Sequence, residues 1–447
     1  MSLPRYPEYK DSRVAWLAEV PEHWEVTALK RGFQVVGGST PKSDNEAYWD
    51  GEIIWVTPSD LSKLSSFEVS NSQRKITADG LSSCGTALVP IGSIILSTRA
   101  PIGSLAIADS ELCTNQGCKA LVPNYNNNSR FYAYFLSVAT GELNIRGKGT
   151  TFLELSGDEL GSFKATFPTA LEQTAIAAFL DCETGKIDML VTEQEKLIAL
   201  LMEKRQAVIS HAVTKSLNAA ATMKDSGIEW LGEVPKHWEV KRLKRVCLVF
   251  PSNVDKKSQD GETSVSLCNY TDVYYNDTIT DDMAFMSATA TDEQIAKFTL
   301  RAGDTIITKD SETADDIAIG AYVPADLPGV VCGYHLSMLR PMTGTDGAFV
   351  KRLFDSTYVK SSVAIRANGL TRVGLGQYEI DNLELPFPSL EEQEAITDFL
   401  AHETAKLDAL TAEAQRGIEL LKERRSALIS AAVTGKIDVR GVDELKR

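Results

Sequence analysis

The chain has 447 residues, of which 43% are hydrophobic and 24% charged. That is a globular composition, too long for one ordinary core and comfortable for two domains with connecting elements. The formal net charge of -15 and a pI near 5.0 weigh against a broadly basic surface, so any polyanion-binding face must be a local patch on an acidic body.

No apolar run approaches the roughly 18–20 residues of a bilayer-crossing helix. The N-terminal MSLPRYPEYKDSR lacks the apolar stretch of a secretory signal. The seven cysteines form no CxxC pair, and Cys113 and Cys118 have nothing metal-like beside them. Reduced, mostly buried thiols in a cytoplasmic protein are the expectation.

In chain order, the first feature is an opening motif, YKDSRVAWLAEVPEHWEVTALKR at 9–31. It returns as MKDSGIEWLGEVPKHWEVKRLKR at 223–245, and most positions are identical. Trp16/Trp230, Pro21/Pro235, His23/His237 and Trp24/Trp238 are among the matches. The histidines tempt a catalytic reading, but in a duplicated Trp/Pro-rich motif they read as packing residues, with Trp16, Val20 and Trp24 as a small hydrophobic clamp.

Two dissimilar middles follow the two copies, at about Gly32–Phe167 and Val246–Phe387. Both read as mixed α/β with short strands. GSIILSTRAPIG (92–103) and GDTIITKDSETADDIAIG (303–320) each place a glycine turn before a β-branched run, with Arg99 or Lys309 at the strand end. The alignment sets Lys309 opposite Thr98. CTNQGCKALVP (113–123) offers Asn115, Gln116 and Lys119 in a loop, and VCGYHLSMLRP (331–341) occupies the corresponding place. Near the end of each middle, RGKGTTFLEL (146–155) aligns with RANGLTRVGL (366–375). These glycine-bearing loops present Arg146 and Lys148 in one copy, and Arg366, Asn368 and Arg372 in the other. Glycine allows close backbone approach, and Arg and Asn bond phosphates or base edges.

Each middle ends at a proline, Pro168 or Pro388, ahead of a second repeat. Leu180, Ile187, Gln194, Leu201 and Val208 recur every seven residues in the first copy, and Leu400, Leu407, Ala414, Leu421 and Leu428 in the second. Val191 and Ile198 add a second apolar line. This spacing predicts two coiled-coil helices of roughly 60 Å, with Gly435 as a C-cap. An antiparallel pairing of the two would set the middles at opposite ends of a rod.

Nucleotide, dinucleotide, zinc-protease and serine-hydrolase motifs are absent, and GKGTTF (147–152) resembles a phosphate loop only superficially. No Asn/Asp-Pro-Pro-aromatic methyltransferase tetrad occurs.

Taken together, KDSGIEWLGEVPKHWEV, GDTIITKDSETADDIAIG with GYHLSMLRP, NQGCKALVP, and PFPSLEEQEAITDFL running into ERRSALISAAVTGKID resemble the specificity subunits of type I restriction–modification enzymes, over nearly the whole chain. The resemblance implies a mixed α/β fold with two globular target-recognition domains, at 1–167 and 218–387. They would be joined by conserved spacer helices, at 168–217 and 388–447, in an antiparallel coiled coil with pseudo-twofold internal duplication. It implies double-stranded DNA as ligand, read as two halves of an asymmetric site. The DNA-contact candidates are Arg99, Asn115, Gln116, Lys119, Arg146, Lys148, Lys309, Arg366, Asn368 and Arg372. It also implies methyltransferase and restriction subunits as partners. S-adenosylmethionine, ATP and Mg would be bound by those partners, and this chain would be non-catalytic. Two other readings compete. A coiled-coil scaffold without a DNA role is favoured slightly by the acidity and opposed by the strand and loop motifs. A fused methyltransferase needs donor motifs and chain length that are missing.

Overall fold

Two long helices organise the chain, Ala170–Lys215 and Leu390–Val433. A computed structural model describes residues 3–99, 101–124, 126–149, 153–369 and 371–441. Thr169 and Glu172 form a reciprocal cap at the start of the first helix: the Glu172 amide donates to Thr169 Oγ1 (3.3 Å) and the Thr169 amide to Glu172 Oε2 (3.2 Å). Ser389 caps the second by accepting from the Glu392 amide. Gly435 ends it at φ +76°, with the Lys436 amide returning to the Ala431 carbonyl.

The chain divides into two compact units, Met1–Gln194 with Arg416–Arg447, and Glu195–Gln415. Each therefore holds a segment of both helices, and the predicted seam packs inside each. Leu180 and Ile187 are buried in the first unit, and Leu201, Leu400, Leu407 and Ala414 in the second. The segments run antiparallel. Arg425 meets Asp188 at 2.9 Å in the first unit, and Arg205 meets Asp408 at 2.9 Å in the second. Arg425 aligns with Arg205 and Asp188 with Asp408, so duplication has placed the same ion pair in each unit.

The middles share topology despite their unlike sequences. In the first unit a five-stranded sheet runs in the order Phe33–Gly37, Cys118–Pro123, Ile94–Ser97, Leu105–Ala108, Glu68–Val69. In the second, four strands run Cys247–Pro251, Leu336–Pro341, Thr305–Thr308, Gly320–Tyr322. The β-branched runs Ile94–Ser97 and Thr305–Thr308 are buried at every residue, as strands covered on both faces must be. A smaller three-stranded sheet accompanies each: Cys113–Thr114, Trp49–Val56 and Lys75–Ile76 in the first, and Met286–Ala290, Thr263–Cys268 and Val330–Cys332 in the second.

The duplicated opening motif holds the helix starts. Strand Glu25–Ala28 pairs with Lys164–Phe167, and Glu239–Arg242 with Glu384–Phe387, the strands that lead into the helices. His23 Nε2 lies 2.8 Å from Glu172, and His237 Nε2 lies 2.8 Å from Glu392. Trp24 and Trp238 are fully buried. The sequence reads these histidines as packing residues; in the structure they are half-exposed, at 42% and 58% of the side chain, and bond the glutamate in the first turn of each long helix. The copies differ at the first tryptophan: Trp16 packs against Phe135 and Phe163, whereas Trp230 is 72% exposed.

A duplicated glutamine ties each middle to its helix. Gln173 Nε2 donates to the Pro168 carbonyl, and its Oε1 accepts from the Asn128 amide at 2.8 Å. Gln393 does the same with Pro388 and the Asp346 amide at 2.9 Å. Asn128 and Asp346 are the N-caps of helices Ser129–Val138 and Gly347–Asp355. Both glutamines are buried, so each fixes a domain helix to a spacer helix through satisfied polar groups.

Candidate nucleic-acid interface

Three segments singled out by the sequence converge in each unit. In the first, Thr98, at the end of the central strand, donates its amide to the Gly117 carbonyl (2.7 Å), and its own carbonyl accepts from the Leu155 amide (2.9 Å). In the second, the Lys309 amide donates to the His335 carbonyl (3.0 Å), and the Lys309 carbonyl accepts from the Leu375 amide (2.8 Å). The alignment of Thr98 with Lys309 is therefore structural. Strand end, NQG or GYH loop, and glycine loop form one corner of each unit.

The glycine loops are closed by backbone pairs, Lys148 with Glu154 and Asn368 with Gly374, each through two hydrogen bonds of 2.9–3.1 Å. Gly149 (φ +138°) and Gly369 (φ +149°) occupy the same loop position in conformations that L side chains avoid. Residues 150–152 and 370 of these loops, and Ala100 of the strand-end stretch, lie outside the described residues.

The first corner is amide- and hydroxyl-bearing. Asn115 Oδ1 accepts from the Gly117 amide (2.9 Å), which pins the NQG turn, and exposed Gln116 accepts from the Thr40 hydroxyl. Arg99 pairs with Glu154 (2.9 Å). Lys148 pairs with Glu159 (2.7 Å) while remaining 80% exposed. Arg146 lies over the Phe163 ring at 5.0 Å. Lys119 lies not in the loop expected from sequence but in strand Cys118–Pro123, paired with Gly37 and Leu96, and lines an open groove of about 990 Å³ together with Lys30, Gln34, Asn124 and Lys148.

The second corner is aromatic and acidic. Lys309 turns inward: its Nζ donates to the Ser252 carbonyl (2.8 Å) and lies 4.4 Å from the centre of the Tyr334 ring. Burial holds its pKa below the ordinary lysine value. Arg366 donates to the Ser362 carbonyl (2.7 Å) and faces Glu379 at 3.8 Å, and Asn368 Nδ2 donates to the Arg366 carbonyl. Arg372 is exposed and pairs with no carboxylate among the described residues. Sequence reasoning passed over Tyr334, which is 51% exposed, the His335–Asp310 pair at 2.9 Å, and the stacked Tyr270 and Tyr274. The signal was the position of GYH opposite NQG.

No group of three or more His, Cys, Asp or Glu that could hold a metal ion occurs among the described residues, and no helix there is long and apolar enough to cross a membrane.

A doubled α/β unit with a duplicated loop corner and a spacer helix pair defines a class, and comparison places the chain within it. The family profile described as the type I restriction modification DNA specificity domain matches twice, over residues 21–198 and 235–420, and the chain belongs to that family. It is 33% identical over 239 residues to the type I restriction enzyme MjaIX specificity subunit of Methanocaldococcus jannaschii, covering 53% of this chain and 54% of that one. The chain thus spans about half the length of that relative. To the MjaVIII specificity subunit of the same organism it is 23% identical over 314 residues, covering 69% of this chain and 70% of that one. Among solved structures, a chain from work on complex assembly and conformational transition of the type I R-M system superposes with a TM-score of 0.71 at 14% identity, covering 93% of this chain and 98% of that chain. The HsdS subunit of Thermoanaerobacter tengcongensis gives 0.56 at 15%, with the same coverage. These likenesses support the mixed α/β fold with two long helices.

Proposed function

We propose that the chain is the DNA-specificity subunit of a type I restriction–modification complex, and that each unit reads one half of an asymmetric, two-part site. The observation that carries this is the doubled corner. The same three segments meet in both units through equivalent backbone bonds, yet the side chains they present differ, amide-rich in one and aromatic–acidic in the other. A shared scaffold with divergent side chains suits two different half-sites.

The spacer helices set the separation of the half-sites and dock methyltransferase subunits. Among the leucines exposed on the helix segments are Leu190 (52%) and Leu420 (59%) in the first unit, and Leu200 (62%) and Leu410 (49%) in the second. Leu190 aligns with Leu410 and Leu200 with Leu420, so duplication has retained an apolar pair that its own fold does not use. In this reading the chain is non-catalytic and works in the cytoplasm. S-adenosylmethionine, ATP and Mg belong to the methyltransferase and restriction partners.

The test is single-molecule methylation mapping of the host genome with and without the gene. Loss of methylation at one asymmetric two-part motif is the expected result, and replacing residues 32–167 is expected to change one half of that motif. An unchanged methylome alongside active methyltransferase genes would return the scaffold reading.

A further inference from the structure

Each glycine loop is preceded by an exposed isoleucine. Ile145 and Ile365 occupy the last turn of helices Thr140–Arg146 and Thr357–Arg366, and they are 77% and 66% exposed. The two positions align (NIRGKG with AIRANG), so the exposure occurs twice at one site of the fold. Neighbouring apolar residues on the same helices behave otherwise: Leu143 is fully buried and Val363 is 3% exposed. Exposing a β-branched apolar side chain gains nothing for folding, and duplication with divergent middles gave ample opportunity to replace it.

The surroundings identify the occupant. Ile145 is followed by Arg146 and by Lys148 with its 80% exposed side chain. Ile365 is followed by Arg366, and exposed Arg372 lies in the same closed loop. Cations beside an apolar side chain, on a loop closed by a positive-φ glycine, complement a polyanion that also offers apolar surface. Duplex DNA has both, in its phosphates and in its thymine methyl groups and base faces. We propose that Ile145 and Ile365 are specificity-determining apolar contacts to DNA bases, one in each half-site, with Arg146 and Arg372 as the cations that hold the flanking phosphates. This rests on the DNA-specificity reading above.

The test uses the full chain assembled with its methyltransferase subunit, and duplexes carrying the motif found by methylation mapping. Ile145→Ser and Ile365→Ser remove exposed side chains, so thermal unfolding and co-purification with the methyltransferase are expected to stay as in the unaltered chain. DNA affinity is expected to fall roughly tenfold for each variant, with discrimination relaxed in one half-site only and in opposite halves for the two variants. Replacing thymine by deoxyuracil in the affected half separates the two kinds of contact. If the isoleucine meets a methyl group, the unaltered protein loses affinity on that DNA and the variant loses no more. If it wedges between bases, the deoxyuracil duplex is bound normally while 2-aminopurine fluorescence at the contacted step falls in the variant. Either pattern supports a base contact. Unchanged affinity and discrimination in both variants would overturn the inference while leaving the subunit's role intact, and so would loss of methyltransferase binding with DNA recognition preserved. Failure of the unaltered complex to select any motif would overturn the specificity reading and this inference with it.

Discussion

At Gly369 a Cβ would collide with the Arg372 carbonyl oxygen, and φ of +149° is closed to L side chains. Gly369→Ala is therefore expected to cost about 1–3 kcal/mol locally and to open the loop that carries Asn368 and Arg372. Hydrogen exchange checks this: amides of 366–375 should lose protection while the sheet core keeps it, and unchanged protection at the Asn368 and Gly374 amides would sink the idea. Glu172 makes a residue-scale prediction of another kind. Burial alone would raise its pKa, but bonds from His23, Thr169 and Trp24 outweigh burial and hold it below the ordinary glutamate value. A depressed carboxylate contributes stability that is fully present above the unfolded pKa and is lost as pH falls through the folded one. Glu172→Gln is thus expected to lower the melting temperature at pH 7, and the gap to the unaltered chain is expected to close as pH falls from there through the depressed folded pKa. A gap that stayed constant across that range would show that the carboxylate's charge is not the stabilising feature. The Glu392 carboxyl is also depressed, where burial is offset by Ser216 and His237, and the same variant there is expected to behave alike.

Helix pairing is the element that the sequence showed most openly, because heptad spacing is a local pattern and survives duplication. The loop corner was half legible. Its backbone register followed from aligning Thr98 with Lys309, since the hydrogen bonds that build the corner need only the chain's own spacing. Its side-chain chemistry was hidden. Lys309 turns inward because of a carbonyl on Ser252, far away in sequence, and Arg99, Lys148 and Arg366 meet carboxylates supplied by other segments. The linking role of Gln173 and Gln393 was visible only as a repeated E-Q pair, whose partners lie in the dissimilar middles. Asp188 and Arg425 are 54% and 35% exposed at the side chain, so their pair is solvent-screened. A double-mutant cycle with Asp188→Ala and Arg425→Ala is expected to give a coupling of about 0.2–1 kcal/mol. A much larger coupling would mean that this ion pair, and not the buried leucine seam, dominates the register.

For the whole molecule the governing fact is a net charge of -15 on a chain proposed to engage DNA. Affinity for duplex DNA comes largely from counterion release, and the logarithm of the binding constant falls with the logarithm of salt at about -0.9 per phosphate neutralised. Few cations at the two corners are free for that purpose. Arg99, Lys148 and Arg366 already face carboxylates and half-buried Lys309 donates to the Ser252 carbonyl, which leaves Lys119, Arg372 and Arg146, the last lying over the Phe163 ring, as the available ones among the candidates. The isolated chain is therefore expected to bind its motif weakly, with a salt slope shallower than about -3. With methyltransferase subunits docked on the helices, phosphate contacts from those subunits add to Z, and the slope is expected to steepen by several units together with the gain in affinity. Fluorescence anisotropy on one labelled duplex, titrated at four salt concentrations with and without the partner, measures both slopes directly. A slope of about -6 or steeper for the chain alone would show that its internal ion pairs open on binding and release their cations to phosphate. Equal slopes for chain and complex, at different affinities, would mean that the partner acts by ordering the two units and not by supplying charge. That second outcome would move the origin of tight binding from electrostatics to preorganisation, and the exposed leucines of the helices would then matter for holding the readers in place.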